Sequence, residues 1–212
     1  DPGSVYLFDI SDSKTPVRRI ASYAPWLSVY QLASTEPFTY MSRDGVKLHG
    51  YLTLPPTYKE GDKIPFIVHP HGGPNARDYW GYNPEVQFYA TRGYGVIQMD
   101  YRGSTGYGRK EMMLANHEMG KSMQEDKYDA LFWANEQGYV DMDNVCISGA
   151  SYGGYAAMQA ATKSPELFKC IIAYVGVYDL TSSDLRGLQW SELSQPMEYI
   201  EKGNPRDPED YK

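Results

Sequence analysis

Residues 145–158 constrain this chain most, because an apolar run, a Gly-x-Ser-x-Gly turn and an alanine-rich segment follow one another there. The order predicts a buried strand, a tight turn and a helix. Glycine is needed at Gly149 and Gly153, where side chains would collide with the neighbouring strand and helix. A serine on such a turn is pushed out above a parallel sheet, which is the arrangement of a nucleophile elbow. We therefore predict that Ser151 is an exposed nucleophile.

Apolar runs and helical patterns alternate on both sides of this turn. Strands are predicted at 38–42, 46–54, 64–69, 94–100, 144–148 and 170–175, and helices at 84–91, 122–137 and 155–163. Alternation of this kind indicates an α/β fold, in which a mostly parallel sheet is covered by helices on both faces. Beyond Asp179 the sequence is polar and helical in character and ends in a loop-like stretch.

The first 37 residues follow a different pattern. Two short strands are predicted at 4–10 and 17–21, and residues 24–37 read as a connector. Two strands alone cannot bury a core. We therefore expect residues 1–37 to belong to a larger β assembly or to lean on a second domain, which spans residues 38–212.

Charge and hydropathy exclude several partners. The net charge of −7 argues against nucleic acid or an anionic membrane surface. No apolar run approaches the roughly 20 residues that span a bilayer. The first residues have neither the basic nor the apolar region of a signal peptide.

The two cysteines, Cys146 and Cys170, both lie in apolar, strand-like runs. We expect buried free thiols that act as small hydrophobic side chains, with a disulfide or a reactive site as the alternative. The sequence contains no Cys-x-x-Cys or His-x-x-x-His spacing. We therefore expect no metal site and no cofactor.

A serine nucleophile needs hydrogen-bond donors for the oxyanion and a base for its proton. One donor in such folds is the N–H of the residue after the serine, here Tyr152. A second comes from a glycine-rich loop after an earlier strand, and His71-Gly72-Gly73-Pro74 follows the strand at 64–69. The alternative is that this loop is an ordinary Gly-Gly turn.

The base cannot be identified in this sequence. All four histidines, His49, His69, His71 and His117, precede Ser151, whereas this fold orders its triad as serine, acid, histidine. We expect His69 and His71 to orient the glycine-rich loop through hydrogen bonds, with catalysis as the alternative. His117 is expected in a helical region as a surface or capping residue.

Four aspartates follow the nucleophile: Asp179, Asp184, Asp207 and Asp210. Asp179 comes after the strand that follows the elbow, a position that some hydrolases use for the triad acid. We expect it to have a loop or capping role instead, because it has no histidine partner.

Three motifs together resemble the prolyl oligopeptidase family of serine peptidases, in its acylaminoacyl-peptidase and dipeptidyl-peptidase branches. They are residues 71–74, the segment Asp-Tyr-Arg-Gly-Ser-Thr-Gly-Tyr-Gly at 100–108, and Gly-Ala-Ser-Tyr-Gly-Gly-Tyr at 149–155. The likeness runs from about residue 38 to about residue 178. It implies an α/β-hydrolase fold that is incomplete at its C-terminal end, with residues 1–37 similar to the last β-propeller strands and a linker.

The resemblance also implies roles for individual residues. Ser151 becomes the nucleophile, and the backbone amides of Gly73 and Tyr152 become the oxyanion hole. Val177 and Tyr178 fall where the family lines its S1 pocket, and Arg102 becomes a structural residue behind the site. The family's aspartate and histidine lie further along than Lys212.

The expected activity is hydrolysis of short peptides through an acyl-enzyme on Ser151, with the 212-residue chain itself inactive because it lacks the triad aspartate and histidine. The alternatives are a carboxylesterase on the same fold and a non-catalytic module. Expected partners are short peptides, and either a second copy of the chain or another protein that covers the open part of the sheet. Nucleic acid and membrane are not expected as partners.

Overall fold

The computed structural model describes residues 2–11, 14, 16–29 and 31–179. Strands β1 (Ser4–Phe8) and β2 (Val17–Ser22) pair antiparallel as a separate two-stranded sheet. Most of their side chains are exposed, including Leu7, Phe8 and Ile20. This hairpin therefore buries no core of its own, as expected from its length. A 3-10 turn over Pro25–Val29 follows it.

A six-stranded sheet forms the centre of the second domain. Its strands are β3 (Thr35–Met41), β4 (Lys47–Thr53), β5 (Ile64–Val68), β6 (Gly95–Asp100), β7 (Val140–Ala150) and β8 (Cys170–Tyr174), in the spatial order β3-β4-β6-β5-β7-β8. The pairs β3–β4 and β4–β6 are antiparallel, and β6–β5, β5–β7 and β7–β8 are parallel. The sheet is therefore mostly parallel, as predicted.

Helices cover both faces of this sheet. They are α1 (Pro84–Ala90), α2 (Arg109–Met113), α3 (Ser122–Glu136) and α4 (Tyr152–Lys163). Side chains alternate between the faces of a strand, so Ile67 packs with α1 while its neighbours Phe66 and Val68 pack with α3 and α4. The predicted α/β fold with helices on both faces is thus confirmed. No helix in the described part of the chain is both long and apolar enough to span a membrane.

Several element boundaries differ from the predictions. Strand β3 begins at Thr35, inside the predicted connector, and β7 extends to both sides of the predicted 144–148. Helix α4 begins at Tyr152 rather than at 155. Two glycines stand in its first turn, and their low helix propensity made this turn read as loop. The short helix α2 was not predicted.

The prediction of free, buried cysteines is wrong. Cys146 and Cys170 form a disulfide, and Cys170 is exposed. The two residues are direct partners across the parallel pair β7–β8, with their Cα atoms 4.7 Å apart. This separation is within the range that a disulfide can bridge. Strand assignment alone does not tell which strands become neighbours, and for that reason the sequence did not identify the bond.

Strand β8 is the last strand on its side of the sheet within the described residues. Two of its side chains on the α1 face, Ile172 and Tyr174, are 45% and 68% exposed. These two side chains form an exposed patch on the face of β8 in the described part of the chain. The polar helical segment predicted after Asp179 lies outside the described residues.

Candidate active site

Ser151 alone forms the turn between β7 and α4. Its backbone angles are φ 55° and ψ −120°, a conformation that a residue other than glycine adopts only when its surroundings impose it. The residue is exposed, and its backbone N–H donates to Tyr174 O of β8 at 3.0 Å. The predicted order of strand, sharp turn and helix is therefore confirmed.

Backbone packs against backbone on both sides of this turn. A Cβ on Gly149 would lie 2.6 Å from the carbonyl carbon of Gly153, and one on Gly153 would lie 2.4 Å from Pro70 O. Real Cβ atoms do not approach other atoms so closely. The glycines therefore allow α4 to contact both its own strand and the loop after β5.

That loop, residues 70–74, lies beside Ser151. A Cβ on Gly72 would be 3.4 Å from Ser151 Cβ and 3.9 Å from its Oγ. Gly73, the next residue, has a φ of +128°. The first N–H groups of a helix have no partner within it, and they carry the positive end of its dipole. The structure thus brings Ser151, the start of α4 at Tyr152, and the Gly72-Gly73 backbone together.

His71 anchors this loop. Its Nδ1 is hydrogen-bonded to Gly72 O at 2.7 Å, and its Nε2 to Ser104 Oγ at 2.9 Å. Its ring stacks on Tyr101, whose hydroxyl donates to His71 O at 2.9 Å. Burial lowers the pKa of His71 to about 4. His71 is therefore neutral at physiological pH and has both ring nitrogens engaged, in agreement with a structural role.

The other histidines also have structural surroundings. His69 Nδ1 is hydrogen-bonded to Ser148 O at 2.9 Å, and burial lowers the pKa of His69. His49 stacks on Tyr107. His117 is exposed in a turn with a φ of 59°, and not in a helix as predicted. In the part of the chain that the structure describes, no histidine is hydrogen-bonded to Ser151 Oγ.

Arg102 is buried and is bound by two carboxylates. Its guanidinium donates to both carboxylate oxygens of Asp126 at 2.8 Å, and to both of Asp44 at 2.8 Å. The Arg102 N–H also donates to Asp126 at 3.0 Å. This network joins α3, the β3–β4 turn and the segment after β6. The sequence motifs identify the arginine as a structural residue but neither of the two acids as its partner.

A second acidic cluster holds the segment that follows the loop at residues 70–74, at Asp78. The Asp78 N–H donates to Asp100 Oδ1 at 2.7 Å, and Gln98 Nε2 donates to Asp78 Oδ1 at 2.8 Å. Tyr107 donates to the other oxygen of Asp100. Burial, with the nearby charge of Asp100, raises the pKa of Asp78 to about 7. The position of Asp100 at the end of a buried strand was the one sequence signal for this cluster.

The candidate pocket residues lie on the opposite side of the elbow from the loop anchors. A Cβ on Gly154 would be 2.8 Å from Tyr174 O and 2.9 Å from Gly176 Cα, so the segment after β8 contacts the start of α4. Tyr178 donates to Ala173 O at 3.2 Å and accepts from Gly176 N–H at 3.1 Å. Val177 is half-buried and Tyr178 exposed in this segment. Asp179 is exposed at its end.

These groups can support acyl transfer in part. An exposed hydroxyl on a strained turn lies next to a glycine loop and a helix N-terminus, which are the components of a nucleophile with an oxyanion hole. Among residues 2–179 as far as they are described, no group of three or more His, Cys, Asp or Glu side chains could hold a metal ion. A general base is the component that the described residues do not supply.

Known proteins resemble this chain in sequence. The model of the prolyl oligopeptidase family matches residues 80–212. Dipeptidyl aminopeptidase BIII of Pseudoxanthomonas mexicana is 38% identical over 77% of this chain and 25% of its own length. Dipeptidyl peptidase family member 6 of Caenorhabditis elegans is 34% identical over 86% of this chain and 27% of its own length. The chain thus spans about a quarter of the length of these relatives.

A solved structure has the same fold. The acylaminoacyl peptidase of Pyrococcus horikoshii superposes with a TM-score of 0.81 at 27% identity, over 100% of this chain and 33% of its own. The two structures share the α/β-hydrolase fold, a mostly parallel sheet with helices on both faces.

Proposed function

The chain belongs to the prolyl oligopeptidase family, and from this membership we propose that it carries the nucleophile and the oxyanion hole of a serine peptidase that hydrolyses short peptides. The observation that carries the proposal is the backbone of Ser151, held at a φ of 55° with the Gly72-Gly73 loop against it. Such strain persists only where the surrounding structure imposes it, which is typical of functional positions.

In the proposed reaction, Ser151 Oγ attacks the carbonyl carbon of the scissile peptide bond and its proton passes to a general base. The N–H groups of Tyr152 and Gly73 donate to the oxyanion of the tetrahedral intermediate. The intermediate collapses to an ester on Ser151, and the proton is given to the leaving amine. Water then hydrolyses the ester.

We assign the base to a histidine outside residues 1–212. No histidine follows Ser151 in this sequence, and none of the four that precede it is hydrogen-bonded to Ser151 Oγ in the described structure. Loss of a triad histidine costs about 10⁶ in turnover. Residues 1–212 by themselves are therefore proposed not to turn over peptides.

Val177 and Tyr178 are proposed to line the S1 pocket. The contact between their segment and the start of α4 supports this role, since it brings both residues to the nucleophile's end of the helix. The names of the two relatives, a dipeptidyl aminopeptidase and a dipeptidyl peptidase, support short peptides as the substrate class.

Residues 1–37 are proposed to be the end of a β-propeller and its linker. The separate β1–β2 sheet supports this assignment, because apolar side chains on it such as Leu7 and Phe8 are exposed and would be covered by further strands. The peptidase domain in this division is residues 38–212, although the first strand of its sheet begins three residues earlier, at Thr35.

A fluorophosphonate probe tests the nucleophile in the full-length protein that contains this chain. We expect phosphonylation of the peptide that contains Ser151, and none in Ser151→Ala, because the probe reacts only with an activated serine. Ser164→Ala, at the other end of α4, is the matched control and should label like the wild type. Labelling of a different serine while Ser151 stays unmodified would refute the proposal.

A further inference from the structure

Lys127 is a buried cation that the reaction above does not use. It lies on α3 with 0% of its surface exposed, and its Nζ donates to Met123 O, one turn earlier, at 2.5 Å. Among the described residues, no carboxylate forms a salt bridge with this ammonium. A buried charge without a carboxylate partner is costly. Other groups must therefore compensate it.

Two aromatic rings take the place of the missing carboxylate. Lys127 Nζ lies 3.7 Å from the centroid of the Tyr101 ring and 5.2 Å from that of the Tyr152 ring. The two rings contact each other, with centroids 5.6 Å apart. The faces of such rings attract cations, and the attraction is strongest where water is excluded.

Both rings belong to the support of the oxyanion hole. Tyr152 is the residue whose backbone N–H is one proposed donor. Tyr101 stacks on His71 with ring centroids 4.3 Å apart, and it donates to His71 O at 2.9 Å. His71 O is two residues before Gly73, the other proposed donor. Lys127 therefore contacts the supports of both donors from behind.

We propose that Lys127 is a positioning residue of the oxyanion hole, whose ammonium holds the Tyr101 and Tyr152 rings together and places positive charge behind the two amide donors. The inference rests on the proposed function of Ser151. Positive charge at this place stabilises negative charge that exists only during the reaction. Its loss should therefore slow the chemical step and leave the affinity for ground-state ligands nearly unchanged.

The charge of Lys127 depends on pH near neutrality. Burial lowers its pKa to about 7, opposed by the charge of Asp126 and assisted by that of Arg102. The tyrosine hydroxyls do not ionise in this range, since burial raises their pKa well above 10, and the pKa of His71 is about 4. The contribution of Lys127 is thus present below pH 7 and lost as the pH rises through 7. The charged or titratable groups that face it are Asp126, Arg102, His71, Tyr101 and Tyr152.

The rate of inactivation by a fluorophosphonate tests this in the full-length protein, because phosphonylation of Ser151 builds negative charge in the oxyanion hole. Lys127→Met removes the charge and keeps an unbranched side chain that is one atom shorter, and Lys127→Gln keeps an N–H donor that can replace the bond to Met123 O. Lys121→Met removes an exposed charge just before the same helix and is the control. Circular dichroism shows whether each variant folds.

At about pH 6 we expect both Lys127 variants to be inactivated about ten-fold more slowly at saturating probe, less than the 10²–10³ of a lost donor. The half-saturating probe concentration should change by no more than about two-fold. The ratio of wild-type to variant rates should fall towards one by about pH 9, because wild-type Lys127 is then neutral. Lys121→Met should match the wild type throughout.

Three results would overturn the inference. They are inactivation rates of both variants that equal the wild-type rate at every pH, an inactivation rate of Lys127→Gln that equals the wild-type rate, or a ratio of wild-type to variant rates that is the same at every pH. If one variant fails to fold, the other decides by its rate ratio across pH. If the wild type itself is not modified at Ser151, the proposed function fails instead, and the two failures are thereby distinguished.

Discussion

Arg102 and Lys127 are two buried cations behind the same elbow, and their partners differ. Arg102 is paired with two carboxylates, those of Asp44 and Asp126, through four hydrogen bonds at 2.8 Å. Lys127 has a main-chain oxygen and two aromatic rings. Burial alone disfavours the charged form of either group.

In each case the partners decide whether the pKa of the cation is raised or lowered. Burial lowers the pKa of Arg102, but the hydrogen bonds to Asp126 and Asp44 outweigh burial and raise that pKa overall. For Lys127 burial prevails, and the pKa is lowered to about 7. A guanidinium also presents a planar fork of donors that suits two carboxylates, which an ammonium lacks. Arg102 is therefore a permanent structural charge, whereas Lys127 changes its charge near neutral pH.

Of the substitutions at these two cations and their partners, replacement of Arg102 should lower the free energy of unfolding most. Arg102→Met removes the guanidinium from Asp126, which has no exposed side-chain surface, and leaves its carboxylate with the Arg102 backbone N–H alone. An unpaired buried carboxylate costs about 3–5 kcal/mol. We expect a loss of that size in the free energy of unfolding, measured with urea on the full-length protein. Arg109→Met, at an exposed position, is the control and should change little; an equal loss in both variants would contradict the buried network.

Replacement of the lysine should change how stability depends on pH. The unfolded chain keeps the Lys127 proton up to a pKa of about 10.4 and the folded one only to about 7, so the folded protein gains stability as the pH rises between these values. The largest slope is about 1.4 kcal/mol per pH unit. Lys127→Met should lack this gain in thermal unfolding, while Lys121→Met keeps it. Identical pH dependence in all three proteins would show that Lys127 titrates normally.

Replacement of Asp44 should have the smallest effect. Its side chain is 46% exposed, so solvent screens its pair with Arg102. Asp44→Asn is expected to cost under about 1 kcal/mol at neutral pH, and Asp126→Asn considerably more. The hydrogen bonds from Arg102 hold the pKa of Asp44 well below its usual range. Its contribution is therefore present above pH 4 and is lost in acid, which urea unfolding of the variant and the wild type across this range measures.

The features that the sequence predicted are those encoded by neighbouring residues. The elbow at Ser151 and the loop at Gly72-Gly73 each need glycines within a few positions of each other, and the structure has both where the patterns put them. The α/β fold followed from alternating runs for the same reason. The roles of Ser151, Gly73, Tyr152, Val177 and Tyr178 remain predictions.

The features that the sequence did not predict depend on residues far apart in the chain. The helical pattern over 122–137 predicts α3 but assigns no role to the polar residues of that helix. The structure buries Asp126 and Lys127 on that helix because Arg102 and Tyr101 follow the distant strand β6. A helix pattern cannot reveal such partners, just as the two strand patterns could not reveal the disulfide.

The Cys146–Cys170 bond has a consequence for the alignment of β7 and β8. A strand that slips by two residues keeps the same side chains facing the core, so packing opposes such a slip only weakly. A slip of this kind would carry Tyr174 O, the acceptor of the Ser151 N–H, about 6.6 Å along the sheet. A covalent bond between direct partners on the two strands forbids it. The disulfide therefore fixes how far Ser151 lies from the segment that carries Val177 and Tyr178.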